Sequence, residues 1–209
     1  MDNTKIIFDH FKKADPIIYK AMHSVDFDKW LMPNKNPSGQ TYFQELCLNI
    51  IGQQLSNKAA KKISARFLYY LGDPLSAPKL AKTKDQNLRN IGLSWAKANY
   101  VKNIAKAYLD GSVEFENFTN MDNIEIINEL ITIKGVGPWT AEMFLIFTLK
   151  REDVFSNGDL GLKKGLAKLY GLNTINSDKI KTITEKWIPY RTYGSITLWH
   201  SLENEVPVG

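Results

Sequence analysis

The sequence predicts an all-α fold, a helical core in two lobes with a cleft between them, and three observations carry that prediction. Apolar residues recur at three- and four-residue steps along most of the 209-residue chain. No run of four to eight residues alternates between apolar and polar as a half-buried strand would. Capping residues and stops punctuate the periodic runs. Tyr42, Phe43, Leu46, Cys47, Ile50, Ile51 and Leu55 make one broad apolar face, which predicts burial for Leu55. After Ser56, whose hydroxyl suits an N-cap, Ala59, Ile63, Phe67 and Tyr70 make a second. Pro16 and Pro189 stand where first-turn prolines belong, and Gly72 and Gly111 where helices stop. About ten short helices are expected. Pro33 to Gly39 reads as a loop too short to separate domains, so residues 1–209 are read as a single domain. No repeat of domain-building length is visible, although Ile91-Gly92-Leu93-Ser94 echoes a glycine-rich turn further on.

Composition removes several function classes. Apolar residues at 44% and charged residues at 23% are globular values, and no stretch approaches the length of a membrane span. The polar start, Met1-Asp2-Asn3-Thr4-Lys5, has no secretory h-region. A single cysteine, Cys47, cannot pair within the chain. An intracellular, cytoplasmic protein is expected, nuclear if the source is a eukaryote. His10, His23 and His200 are scattered with no ligand spacing, so no catalytic transition metal is expected. The formal net charge of +5 and pI near 9.1 favour a polyanionic partner without deciding for one.

The most informative stretch is Leu130-Ile131-Thr132-Ile133-Lys134-Gly135-Val136-Gly137-Pro138-Trp139-Thr140-Ala141. A helix is expected to end at about Thr132, Gly135 and Gly137 permit positive φ, and Pro138 suits the first position of the next helix. Such a turn aims backbone N–H groups past a helix N-terminus, where an anion is favoured. It reads either as a phosphate-binding turn or as a hairpin used only for packing. Asp159 lies 22 residues past Gly137 at the mouth of a further helix. A carboxylate beside a phosphate site repels the backbone and asks for a compensating role. Asp159 can cap that helix, face a developing positive charge, or do both. Asp153, before Val154-Phe155, reads as a surface or loop carboxylate.

The hairpin string resembles the helix-hairpin-helix element of DNA repair proteins, over about residues 123–149. Further strings stand in the same order as in the helix-hairpin-helix DNA glycosylase superfamily, specifically its 3-methyladenine DNA glycosylase II branch. They are Ile50-Ile51-Gly52-Gln53-Gln54-Leu55-Ser56-Asn57-Lys58-Ala59-Ala60, Gly92-Leu93-Ser94-Trp95-Ala96-Lys97-Ala98, Val154 to Gly165, and Trp187-Ile188-Pro189-Tyr190-Arg191-Thr192-Tyr193.

The resemblance implies an enzyme that flips an alkylated purine, 3-methyladenine first, from duplex DNA and hydrolyses its glycosidic bond. Asp159 would be the catalytic carboxylate. The carbonyls of Ile131, Ile133 and Val136 would hold a structural Na+ or K+ that bridges to phosphate. Trp139 and Trp199 would hold the cationic base on their ring faces, a contact worth roughly 0.5–2 kcal/mol, with Met143, Tyr42 and Tyr193 as further pocket residues. Where the branch carries an aromatic, Met143 offers a thioether. Trp30, Trp95 and Trp187 are read as core. Gln53, Gln54, Ser56, Lys134, Gly135, Gly137, Thr140 and Lys163 would face DNA, with Gln54, or its rival Leu55, as the minor-groove wedge. Lys58, Lys61 and Lys164 are further phosphate partners. Bifunctional relatives carry a lysine at the position of Trp139, and an indole forms no Schiff base, so no lyase step is expected. One cysteine excludes the iron–sulfur cluster of some relatives, no cofactor serves catalysis, and about 40 residues ahead of the first motif leave no room for an N-terminal β domain. A monomer is expected. The competing readings are a non-catalytic helix-hairpin-helix DNA-binding module and a helical scaffold that never meets DNA.

Overall fold

The computed structural model describes residues 3–32 and 37–203, without the side chains of 3 and 203. The helices are α1 (Asn3–Ala14), α2 (Pro16–Met22), α3 (Phe27–Leu31), α4 (Gly39–Gly52), α5 (Asn57–Leu71), α6 (Ala77–Lys82), α7 (Asp85–Asn90), α8 (Trp95–Asp110), α9 (Asn123–Leu130), α10 (Pro138–Phe147), α11 (Leu160–Tyr170), α12 (Ser177–Thr184) and α13 (Arg191–Glu203). Two 3-10 turns, Phe115–Asn117 and Glu185–Trp187, complete them, and no strand occurs among the described residues. The thirteen α-helices among the described residues exceed the about ten expected, because short helices such as α3, α6 and α7 carry too few turns to show a period.

Helices this short depend on their ends. Asp15, Ser38, Ser56, Ser94 and Asp159 each accept an N–H from the first turn of the helix they precede, and each such cap stabilises by about 1 kcal/mol. Asp122 and Glu125 form a reciprocal capping box on α9. Gly72 and Gly111 stop α5 and α8 with positive φ. Pro16 opens α2 as expected, but Pro189 lies two residues ahead of α13 and opens nothing. Of the loop expected between Pro33 and Gly39, residues 33–36 lie outside the described residues, as does the polar start at residues 1 and 2.

The chain divides into two compact units. One comprises Met1–Pro33 and Leu145–Gly209. Its core gathers Ile7, Phe11, Ile18, Leu166, Trp187 and Leu198. Gly165 lets α11 approach α13 closely, since a Cβ there would stand 2.8 Å from the Cβ of Leu198 and 2.9 Å from its carbonyl oxygen. Asp15, 5% exposed, is a saturated buried carboxylate. Its Oδ1 accepts the N–H groups of Ile17 and Ile18, and its Oδ2 accepts Tyr170 Oη at 2.6 Å and Trp187 Nε1 at 2.9 Å. Burial, then the charge of Asp15, push the Tyr170 hydroxyl far above the usual phenol range. The segment leading to Asp159 is tied to the start of α13. Arg191 grips Asp153 with Nε and a terminal nitrogen at 2.6 and 2.9 Å, and the fully buried Thr192 hydroxyl donates to the carbonyl of Arg151 while accepting the N–H of Val154. Asp153 is therefore a paired, half-buried residue, not a plain surface carboxylate.

The other unit is Asn34–Phe144. Here α4 supplies the buried face of Tyr42, Phe43, Leu46, Cys47, Ile50 and Ile51. Phe43 stacks on Tyr108 with ring centroids 4.7 Å apart, beside Phe115 and Phe118. The helix ends at Gly52, so Leu55, three residues beyond it, leaves the apolar stripe and is 37% exposed, against the expectation of burial. Trp95 is likewise not core. It is 57% exposed at the start of α8, with the Arg89 guanidinium 5.2 Å over its ring. Trp187 is fully buried and Trp30 packs partly buried against the first unit's core. No described helix is long and apolar enough to cross a membrane.

Candidate active site and nucleic-acid interface

In the first unit Asp159 is the N-cap of α11, with Oδ1 accepting Leu162 N–H at 2.8 Å and the indole Nε1–H of Trp199 at 3.1 Å. The cap and the long-range contact are one geometry, since the same oxygen serves both. Trp199 is held from behind by Phe147, ring centroids 5.6 Å apart, and Phe147 by Trp30 at 6.2 Å. Gly161 completes the site. A Cβ at that position would stand 3.0 Å from Asp159 Oδ1 and 3.0 Å from the Trp199 ring, so a side chain there would make the pair give way by a few tenths of an ångström. Tyr193 is not drawn into this cluster. Its hydroxyl donates to Glu152 at 3.1 Å, its ring packs on Phe27, and burial and the Glu152 charge push its pKa above the usual phenol range. Lys163 is half-buried one turn into α11, and Lys164 is exposed.

In the second unit the hairpin runs from the end of α9 at Leu130 to Pro138, the first residue of α10. The helix ends two residues earlier than expected. Only Gly135 takes positive φ, at +109°; Gly137 does not. A Cβ at Gly135 would overlap the Tyr100 ring, whereas one at Gly137 would meet nothing within 4 Å. The turn is closed by Val136 N–H on the carbonyl of Ile133 at 2.9 Å and braced from α8, where Asn103 Nδ2 donates to the carbonyl of Lys134 at 2.9 Å. The donor set is one of neutral backbone oxygens. Ile131 presents a carbonyl as C-cap of α9, and that of Ile133 keeps a second lone pair beside its bond to Val136. Those are hard oxygens of the kind a monovalent cation takes. The Lys134 side chain is exposed, as is Trp139 at 42%.

The loop between α4 and α5 stands beside this hairpin. Gln53 Nε2 donates to Thr140 Oγ1 at 2.9 Å, joining the loop to the first turn of α10. Thr140 is buried, so its side chain and that of Gln53 meet one another instead of an open surface. Ser56 spends its hydroxyl as the cap of α5. Gln54, by contrast, is exposed and stands at φ +57°, a left-handed conformation uncommon outside glycine, asparagine and aspartate. Lys97 holds this geometry from α8, donating to the carbonyls of Ile51 at 2.8 Å and Gln53 at 2.6 Å; its burial lowers its pKa. Of the aromatic candidates in this unit, Tyr42 is buried between Phe118 and Phe144, and Met143 is 9% exposed.

A left-handed Gln54 gives a direct test of the wedge. Replacement by glycine relieves a strain of about 1 kcal/mol, so folding stability should hold or rise. Base release from duplex should meanwhile fall by a much larger factor than release from a single strand. Equal losses on the two substrates would count against the wedge.

The family model described as HhH-GPD superfamily base excision DNA repair protein matches residues 48–190, which include the Gln54 loop, the hairpin and Asp159. The chain belongs to the HhH-GPD superfamily. Among members, DNA-3-methyladenine glycosylase 1 of Schizosaccharomyces pombe is 33% identical over 171 residues, covering 80% of this chain and 75% of that protein. A Bacillus subtilis relative is 30% identical over 162 residues, 74% of this chain, and the match spans only 56% of that protein's length. The solved Schizosaccharomyces pombe 3-methyladenine DNA glycosylase Mag1, in complex with abasic DNA, superposes with a TM-score of 0.71 at 28% identity, covering 90% of this chain and 97% of that one.

Within this HhH-GPD core, sequence reading missed Lys97, Asn103, Tyr100, Phe147 and Gly161 as supports of the site. Lys97 and Gly161 lie inside strings that the resemblance picks out, but only the fold shows what they touch. Asn103 and Tyr100 carry no local signal at all, since each acts on a turn about thirty residues further along the chain.

Proposed function

We propose that the chain is a monofunctional DNA glycosylase of the 3-methyladenine DNA glycosylase II type. It swings an alkylated purine out of double-stranded DNA and hydrolyses the bond from base to sugar, leaving an intact abasic strand. Base excision DNA repair is the work of the family to which it belongs. The observation that carries the finer reading is the Asp159 carboxylate, one oxygen of which is fixed by Leu162 N–H and Trp199 Nε1–H.

A purine alkylated on its ring already bears positive charge and departs with the bonding electron pair as a neutral base. Little acid catalysis is required, and positive charge develops on the sugar instead. A carboxylate held at a helix N-terminus stabilises that charge without reorganising during the reaction. Water then adds at C1′ and gives up a proton, which restores neutrality. A flipped cationic base suits an indole face, and Trp139 in one unit and Trp199 in the other are each a candidate for that cation–π contact. Tyr42, Met143 and Tyr193 serve the pocket less directly, being packed into their units or bonded elsewhere.

Gly135 and Gly137 bring backbone near a phosphate at the start of α10, where the helix dipole favours an anion, with Lys134 as a charge partner there; Lys163, on α11 of the other unit, is a further phosphate partner. The carbonyls of Ile131, Ile133 and Val136 would hold a Na+ or K+ at the turn, supplying positive charge towards that phosphate. Trp139 supports the monofunctional reading, because an indole occupies the position at which bifunctional relatives carry the Schiff-base lysine. Catalysis needs no further cofactor, and the protein works as a monomer.

Incubation with alkylated duplex followed by chromatography of the released bases tests the proposal directly. Release of 3-methyladenine, without borohydride trapping of enzyme to DNA, is expected. Duplex binding with no base released would favour the non-catalytic module, and strong trapping would restore a lyase step.

A further inference from the structure

The DNA contacts expected above reach α5 only at Lys58 and Lys61 and leave the rest of its outward face unexplained. This helix, Asn57-Lys58-Ala59-Ala60-Lys61-Lys62-Ile63-Ser64-Ala65-Arg66-Phe67-Leu68-Tyr69-Tyr70-Leu71, contains four cations and no acidic residue. At about 100° per residue, Lys58, Lys61, Lys62, Ala65, Arg66 and Tyr69 fall within one arc of roughly 140°. All six are exposed, Tyr69 at 94%, while Phe67 and Leu71 are buried on the opposite side.

The charges are arranged against the helix that carries them. Lys58 stands in the first turn, where the macrodipole disfavours a cation. Lys58 with Lys61, Lys58 with Lys62, and Lys62 with Arg66 are like-charged pairs at three- and four-residue spacing, which repel. None of the four has an ion-pair or hydrogen-bond partner for its side chain among the described residues, whereas Lys102 and Arg191 elsewhere each find an aspartate. A face that costs folding stability and finds no offsetting partner among the described residues is suited to an external polyanion.

We infer that the outward face of α5 is a second DNA-binding surface, following the backbone of the duplex flank that lies beyond the Gln54 loop. This rests on the DNA-binding reading above and extends it. α5 begins one residue after that loop, and Lys58 to Arg66 spans about 12 Å at 1.5 Å per residue, the length of three to four phosphates along one strand. Tyr69 continues the row with a hydroxyl able to donate to phosphate. A membrane surface fits poorly, because an interfacial helix needs a free apolar face and the apolar face of α5 is buried in its own unit.

The test compares the wild-type chain with the triple variant Lys58→Gln, Lys62→Gln, Arg66→Gln, by fluorescence anisotropy on a duplex with an abasic-site analogue over a range of salt. The slope of log affinity against log salt should fall by about 0.9 for each phosphate left unneutralised, up to about 2.7 in all. On a duplex truncated close to the abasic site on both flanks, the two proteins should differ little. The melting temperature of the variant should hold or rise, since repulsion is relieved. An unchanged slope overturns the surface, as does a marked fall in melting temperature, which would make these charges part of the fold. Binding to phosphatidylserine vesicles that the variant loses while its duplex slope stays unchanged would reassign the face to lipid. Failure of the glycosylase reading is separable. A wild-type chain that shows the salt effect yet releases no base loses the enzymatic proposal and keeps the surface, and an active chain with an unaltered slope does the reverse.

Discussion

Asparagine in place of Asp159 is expected to lower single-turnover release of 3-methyladenine by 10²–10³-fold or more, the order of about 3–4 kcal/mol seen when one preorganised group is removed from a developing charge. Binding to an abasic duplex should survive. The fold should too, because asparagine caps a helix as well as aspartate does, and Leu162 N–H keeps an acceptor. Alanine at the same position loses both roles and should cost a further ~1 kcal/mol of folding stability in a urea titration. The pair of variants therefore separates the two roles that Oδ1 combines. Trp199→Phe provides the complementary measurement. It keeps a ring against Phe147 but removes the indole N–H from Asp159, so base release should fall by about tenfold, the cost of one hydrogen bond to a charged group. Full activity in Asp159→Asn would make the aspartate a cap alone.

The largest stability effect is expected at Asp15, far in sequence from any proposed chemistry. Substitution by alanine leaves Tyr170 Oη, Trp187 Nε1 and the N–H groups of Ile17 and Ile18 without their acceptor inside a nearly sealed site. Each unsatisfied buried donor costs about 1–3 kcal/mol, reduced where water enters, so a total near 3–5 kcal/mol is expected from chemical denaturation. That is a large share of the ~5–15 kcal/mol that holds an ordinary domain. Asp15→Asn should lie between, since its amide sets a donor against the Tyr170 and Trp187 donors. A loss below about 1 kcal/mol would mean that the four donors find other partners.

Much of the fold was legible because its determinants are local. The side chains that cap α5 and α11, Pro16 opening α2, the stops at Gly72 and Gly111, and the Gly135 turn with Pro138 opening α10 each act over four residues or fewer. Errors arose where local pattern and packing part company. Leu55 continues the apolar spacing of Ile51, yet the helix stops at Gly52 and the side chain turns outward. Trp95 looks like core by residue type, yet it sits on the rim of α8 beneath Arg89. Pro189 has the chemistry of a first-turn proline but stands ahead of the helix.

The candidate site divides in the same way. By itself the sequence determined a helical chain, a glycine turn suited to phosphate, a carboxylate at a helix mouth and the absence of an amine at position 139, all of which depend on residue type and short spacing. Only the tertiary structure decided that Trp199 meets the same oxygen of Asp159 that caps α11, across forty residues. It also decided that Lys97 fixes the carbonyls around Gln54, that Asn103 braces the Lys134 turn, and that Gln53 is spent on Thr140. Such pairings join groups with no regular separation along the chain. They follow from which helix faces burial brings together, a property of the whole packed unit that no short stretch of residues encodes.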